Sequence, residues 1–208
     1  MLSGHRCETF ASPRMAMSEA AGEPAGGEGQ SAELWHFSCA FYAQPGVSEA
    51  LLMLQDRAGL DVNLILFALW QGACGLRHLS PGELIAAEHS AGPIKTAIVL
   101  PLRALRRKLR SDRDADVQRL RARIKTLEIA AERIVQSRLA RLAGTSAGDT
   151  APAARAAAAQ ANLALVLGPK MAAAAEATRI REALAGCGKS RSVAFRAQFV
   201  AICVLVTL

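Results

Sequence analysis

The sequence is poor in aromatic side chains and has no long apolar run. Phenylalanine, tryptophan and tyrosine together make up only 4% of its 208 residues. Sheets draw stability from aromatic and β-branched pairs, whereas abundant alanine favours closely packed helices. No run approaches the ~20 apolar residues of a membrane span. We therefore expect an all-α protein without a transmembrane segment.

Paired cysteine motifs are also missing. The five cysteines are odd in number, scattered and never spaced as CxxC, which argues against a disulfide framework and favours a reducing compartment. The first thirty residues lack the apolar core of a signal peptide. We expect a cytoplasmic protein, and leave open whether Met1, Met15 or Met17 is its true start.

Acidic residues are outnumbered by basic ones. The 25 Lys and Arg against 18 Asp and Glu give a net charge of +7 and a pI near 9.6. Such a surface attracts polyanions at low salt, but this bias alone defines no specific partner.

Composition divides the chain into five stretches. Residues 1–30 contain few bulky apolar side chains and are predicted to be a disordered tail. Residues 31–143 have the helical periodicity of a bundle core. A linker at 144–152 leads to an alanine-rich helical pair at 153–186, split by Gly-Pro. Residues 187–208 form an apolar C-terminal tail whose role we leave open.

One segment is apolar nearly all round and is predicted to be the buried central helix of a single bundle. It runs from Val62 to about Gln71, with Asp61 as its N-cap. The helix before it should span Val47 to Ala58 and end at Gly59. The first helix should begin at the N-cap Ser31.

Proline and glycine predict the next boundaries. The sequence Ser80-Pro81-Gly82-Glu83 carries the signature of a capping box and should start a fourth helix. This helix should stop by Gly92-Pro93, and a fifth, from Ile94 to about Arg110, should be kinked at Pro101. A sixth helix keeps a seven-residue repeat, which favours an antiparallel hairpin partner. Its members are Val117, Leu120, Ile124, Leu127, Ala131 and Ile134.

A polar cluster surrounds the turn before the central helix, comprising Gln55, Asp56, Asp61 and Asn63. Its acids resemble part of a calcium loop, but the glycine at the sixth loop position and the glutamate at the twelfth are missing. Asp61 is better explained as an N-cap. The cluster is a candidate ligand or enzymatic site only if its side chains meet in a pocket.

A basic cluster on the fifth helix is a candidate nucleic-acid surface. Its members are Arg103, Arg106, Arg107, Lys108 and Arg110, and further cations follow in the sixth helix up to Lys125. Three nearby aspartates dilute this charge, and no aromatic residue is placed to stack on bases. Solvated helix faces are the simpler interpretation.

Two weaker patterns point to metal or nucleotide chemistry. The residues His36, Cys39, Cys74 and His78 could form a Cys2His2 zinc site, but the turn chemistry of such sites is absent. The sequence ALAGCGKS at 183–190 meets a relaxed phosphate-loop pattern without the strand that should precede it. We assign no catalytic residue, metal or cofactor.

Five motifs lie between about residue 33 and residue 142. They are Trp35-x-Phe37-Ser38-x-x-x-Tyr42-Ala43-x-Pro45-Gly46-Val47, Leu54-Gln55-Asp56-x-x-Gly59-x-Asp61-Val62-Asn63-Leu64, Leu66-Phe67, Pro101-Leu102-Arg103-x-Leu105-Arg106 and Glu128-x-x-x-Glu132. In these motifs the chain resembles a bacterial family of small helical proteins known only as a domain of unknown function. The resemblance implies a helical fold and transfers no catalytic residues.

From the sequence we expect a non-enzymatic cytosolic protein that acts through protein contacts. The sequence does not define the partner, which is either another protein or a second copy of the chain. The helix at 117–142 and the apolar C-terminus are the candidate interfaces. The alternatives are a nucleic-acid accessory role for the basic hairpin at 103–125, and a ligand or enzymatic site at the polar cluster.

Overall fold

The computed structural model describes residues 26–74, 77–143 and 151–187, where all regular structure is helical. A π-helical turn, Lys95–Val99, joins the fourth helix to the fifth. The all-α prediction is confirmed. The α-helices are α1 (Gly26–Tyr42), α2 (Val47–Ala58), α3 (Val62–Ala73), α4 (Pro81–Ile94), α5 (Leu100–Lys108), α6 (Ala115–Ala140), α7 (Pro152–Met171) and α8 (Ala175–Cys187).

Helix α3 is the common wall between two apolar clusters. Every residue from Val62 to Gly72 is buried. Ile65 and Leu69 pack in one cluster with residues of α2, α7 and α8, while Phe67 and Trp70 pack in the other with residues of α4 and α6. A helix covered on both sides can be apolar all round, so the predicted buried central helix is confirmed.

The turn before α3 follows from two residues. Gly59 adopts φ 68°, which is accessible to glycine without strain, and its N–H donates to the Gln55 carbonyl to close α2. Asp61 accepts a 2.9 Å hydrogen bond from the Asn63 N–H and caps α3. Both boundaries agree with the sequence prediction.

The predicted stop at Gly92-Pro93 is wrong. Helix α4 passes through Pro93, and α4, the π-helical turn and α5 form one continuous rod. Pro93 and Pro101 each remove a backbone donor. The wider turn lies between them, and the Leu100 N–H donates to the Lys95 carbonyl five residues back. The rod therefore absorbs both prolines without a break.

The predicted start of α1 at Ser31 is also wrong, because the helix begins at Gly26. Serine is a favoured N-cap residue, but Gln30 and Ala32 on either side of Ser31 are good helix formers, and the helix continues through this position. The remainder of the predicted tail, residues 1–25, lies outside the described residues. The same holds for 144–150 of the predicted linker and for 188–208.

The alanine-rich helices pack into the bundle. Helix α7 makes the most extensive contact with α3, and α8 packs on α2. At the α3–α7 crossing, Gly72 faces the backbone of Ala158 and Ala159 so closely that a Cβ would lie 2.2 Å from the Ala159 nitrogen. The chain kinks at Gly168, which has φ 64° and ψ 172°. The predicted Gly-Pro split is seen as this kink, but α8 begins only at Ala175.

Candidate functional site

A buried Arg–Glu network joins the predicted polar and basic clusters. It comprises Gln55, Arg103, Arg106, Glu128 and Glu132, contributed by α2, α5 and α6. Helix α5 packs directly on α6, and this brings side chains far apart in sequence into hydrogen-bonding contact.

Arg103 is the centre of the network. Its Nε donates to Glu128 at 2.9 Å, and one terminal nitrogen donates to Gln55 Oε1 at 2.7 Å. The other terminal nitrogen is 2.5 Å from Glu132 Oε1. Burial works against the charge of Arg103, but the two carboxylates outweigh it and its pKa is raised. The guanidinium therefore stays charged and cross-links three helices.

Arg106 makes the deepest ion pair. Its Nε lies 2.7 Å from Glu128 Oε2, and the side chains are 4% and 1% exposed. Glu128 thus uses both oxygens, one for Arg103 and one for Arg106. A buried charge is tolerated when it is paired and hydrogen-bonded in this way, whereas removing one partner leaves a costly unpaired charge.

Glu132 has a strongly raised pKa. Burial raises its pKa to about 7, Arg103 acts in the opposite direction, and the charges of Glu128 and Asp61 raise it further. Burial is also the main cause of a raised pKa for Tyr42, and Glu132 adds to it. Glu132 consequently titrates near neutral pH in the folded protein.

The predicted polar cluster is divided by the fold. Asp61 caps α3 and binds Lys95 Nζ at 2.8 Å, while Asn63 accepts a 3.0 Å hydrogen bond from Gln136 in the interior. Asp56 instead lies on the surface, 3.2 Å from Arg107. The four predicted residues therefore hold helices together and do not converge on one ligand position.

The predicted basic cluster is divided in the same way. Arg103 and Arg106 point into the network, whereas Arg107, Lys108 and Arg110 are exposed. Two of the five cations are therefore committed to buried carboxylates.

From the sequence, Glu128 and Glu132 were named only as a motif of the family resemblance and given no role in a site, and Asn162 was not singled out. Glu128 and Glu132 are four residues apart on one face of α6, opposite two arginines three residues apart on α5. That complementary spacing was the available signal. Asn162, buried on α7, accepts from the Leu79 N–H and donates to the carbonyls of Ala68 and Arg77. It fixes the segment between α3 and α4.

The zinc hypothesis finds no geometric support. In the described ranges, no group of three His, Cys, Asp or Glu side chains is placed to hold a metal ion. Burial raises the pKa of the Cys39 thiol to about 11. Desolvation of the thiol and the charge of Glu33 raise the pKa of Cys74 to about 11 as well, although the residue as a whole is exposed. The phosphate-loop pattern at 183–190 lies partly outside the described residues.

The exposed face of α6 carries an apolar line made by Leu120, Leu127 and Ile134. These side chains are 51%, 57% and 47% exposed. Alternate members of the predicted repeat, Ile124 and Ala131, are buried in the protein's own core. The repeat predicted to face one hairpin partner is therefore split, because neighbouring helices cover only one side of α6.

Positive charge flanks this α6 apolar line. Arg119, Arg123 and Arg133 are exposed beside it, and Arg133 also lies 5.5 Å from the centre of the Trp35 ring. The two glutamates of α6 are buried in the Arg–Glu network. Asp116, in the first turn of α6, pairs with Arg119. From residue 117 to 140 the described surface of α6 combines apolar and basic groups without an exposed carboxylate.

The fold and these contacts define an all-α bundle cross-linked by buried ion pairs. The chain belongs to the family described as "Protein of unknown function (DUF2390)", whose model matches residues 33–139. The match contains the whole Arg–Glu network but ends before α7. Searches of curated proteins and of solved structures found no match. In the described ranges, no helix is both long and apolar enough to cross a bilayer.

Proposed function

We propose that the protein acts by binding an acidic amphipathic helix of a partner protein along the α6 apolar line. Leu120, Leu127 and Ile134 recur every seven residues. They therefore lie within a narrow stripe about 21 Å long on the helix. Apolar anchors at this spacing fit the apolar seam of another helix.

The charges beside the α6 apolar line indicate which kind of partner helix would bind there. Exposed arginines at 119, 123 and 133 border the line, so glutamates or aspartates beside the partner's apolar seam would be attracted. A second copy of the chain fits less well, because pairing two α6 helices brings Arg123 and Arg133 of both copies together, and only Arg119 has an exposed acid beside it, Asp116. The absence of an outward carboxylate between residues 117 and 140 is the observation that carries the proposal.

Nucleic acid is a weaker candidate. Arg103 and Arg106 are engaged with buried carboxylates, and Arg107 pairs with Asp56. Most of the predicted basic cluster is therefore already paired with acids of the same chain, which lowers its attraction for a phosphate backbone.

We place this activity in the cytoplasm. The thiols of Cys39 and Cys74 are free, as is usual for proteins of a reducing compartment.

A synthetic acidic helix tests the proposal. The probe is about 20 residues long, with leucine at every seventh position and glutamate on both sides, and its binding is followed by fluorescence anisotropy at ~50 mM salt. Leu127→Ser should weaken binding about fivefold, because roughly half of a leucine side chain's burial, about 1 kcal/mol, is lost.

Ile85→Ser is the matched control. Ile85 is 52% exposed, close to the 57% of Leu127, but it lies on α4. It should leave probe binding unchanged, and a probe with lysine in place of glutamate should not bind. Equal weakening by both substitutions, or equal binding of the two probes, would contradict the proposal. A dimer dissociated by Leu127→Ser in light scattering would show that a second copy is the occupant instead.

A further inference from the structure

A groove of about 410 Å³ lies where α4 meets the end of α6. It is open to solvent and separate from the Arg–Glu network. It is lined by His89, Ser90, Pro93, Arg138, Arg141 and Leu142.

This arginine groove carries two positive charges and lies beside the Arg77–Glu83 ion pair, since Arg77 also donates to the Leu142 carbonyl. No carboxylate is among its lining residues. In the part of the chain that the structure describes, neither Arg138 nor Arg141 has an ion pair, unlike Arg103 and Arg106.

Cations near a helix C-terminus also stabilise the helix dipole, and this is the simplest role for Arg138 and Arg141. That dipole amounts to only about half a negative charge. The two positive charges of the guanidinium groups exceed this half negative charge, so the groove keeps a net positive charge.

The lining chemistry fits a compact dianion better than a carboxylate. One arginine satisfies a carboxylate through two parallel hydrogen bonds. Two arginines, the Ser90 hydroxyl and the His89 imidazole offer more donors than two oxygens can accept, but a phosphate group presents three terminal oxygens and a second charge. Pro93 and Leu142 supply apolar surface beside these donors.

We propose that the arginine groove binds the terminal phosphate of a small phosphate monoester, with the organic part of the ester against Pro93 and Leu142. The site is distinct from the α6 apolar line and does not depend on the proposed helix binding. Arg138 and Arg141 would bind the phosphate oxygens, and Ser90 would donate to the same group.

Calorimetric titration of the full chain with phenyl phosphate tests the assignment. The double variant R138Q/R141Q should bind about tenfold more weakly or worse, because two charge-assisted contacts are lost. The matched control R119Q/R123Q removes the same charge from the exposed face of the same helix, and should change the affinity less than about twofold, since exposed charges at that distance are screened. Circular dichroism and urea midpoints establish that all variants are folded.

Two further probes define the ligand. Benzoate, a monoanion with the same ring, should bind several-fold more weakly than phenyl phosphate, and equal binding would overturn the choice of phosphate. Inorganic phosphate should also bind more weakly, and equal binding would overturn the ester in favour of free phosphate. Equal losses in the two double variants, or no heat of binding at millimolar phenyl phosphate, would refute the site itself.

Discussion

Replacing Gly72 by alanine should destabilise the protein sharply, because α3 and α7 touch at this position through their backbones. A Cβ at Gly72 would lie 2.2 Å from the nitrogen and 2.3 Å from the Cα of Ala159, and 2.6 Å from the carbonyl carbon of Ala158. Ordinary carbon contacts are about 3.5 Å or longer, so the helices would have to separate by about 1 Å.

The size of the effect follows from two opposing contributions. Overpacking of this kind costs typically about 1–3 kcal/mol, and we expect about 3 because backbone atoms cannot rotate away as a side chain can. Alanine recovers about 1 kcal/mol through its better helix propensity. The net loss in the free energy of unfolding should therefore be about 2 kcal/mol.

Urea denaturation of Gly72→Ala beside Gly82→Ala measures this difference. A Cβ added at Gly82 would meet no atom within 4 Å, and the residue has no positive φ, so alanine there should raise stability by about 0.5 kcal/mol. A further Ala159→Gly change should not rescue Gly72→Ala, because the clash involves backbone atoms. A Gly72→Ala protein as stable as the wild type would refute the described crossing of α3 and α7.

Three other substitutions test the buried polar groups. Asn162→Ala removes three hydrogen bonds made by α7, one to Ala68 of α3 and two to Arg77 and Leu79 before α4. The loss should be about 3 kcal/mol by thermal or urea unfolding, and a near-neutral result would count against this role. Glu128→Ala leaves Arg103 and Arg106 buried without a shared carboxylate and should cost about 3–5 kcal/mol, whereas a loss below about 1 kcal/mol would mean that the pairs are solvated. In the folded protein the pKa of Glu132 is raised from 4.5 to about 7. The folded protein therefore binds the Glu132 proton more tightly than the unfolded chain does. The free energy of unfolding of the wild type should consequently fall by roughly 3 kcal/mol or less as the pH rises between these two values. Glu132→Gln should flatten this part of the pH profile, and an unchanged slope would contradict the raised pKa.

The helix boundaries at Gly59, Asp61 and Ser80 were predicted correctly, unlike those at Ser31 and Gly92-Pro93. Gly59 and Asp61 act through their own backbone and nearest neighbours, so the end of α2 and the start of α3 follow from sequence. The capping box is also present, with Ser80 and Glu83 exchanging hydrogen bonds.

Features that depend on how helices cross were not predictable in the same way. The repeat in α6 indicates the spacing of its apolar residues, but not that Ile124 is buried and Leu127 exposed, because this depends on which helices cover α6. The passage of α4 through Pro93 depends on a π-helical turn that propensity alone does not predict.

The candidate site shows the same distinction. The N-cap role of Asp61 is local and follows from sequence. Proximity in sequence groups Arg103 and Arg106 with exposed Arg107, yet the crossing of α5 and α6 places Glu128 against only the first two. Long-range charge pairing requires the helix register, and spacing along one chain does not supply it.

Native-state hydrogen exchange tests the central claim that α3 is enclosed by α7 on one side and α6 on the other. Amides from Ile65 to Leu69 should exchange only through global unfolding, with a protection free energy equal to that from urea denaturation, and α7 should share it near Asn162. Exchange of the α3 amides at a much lower free energy, or opening of α7 while α3 stays fully protected, would contradict the account.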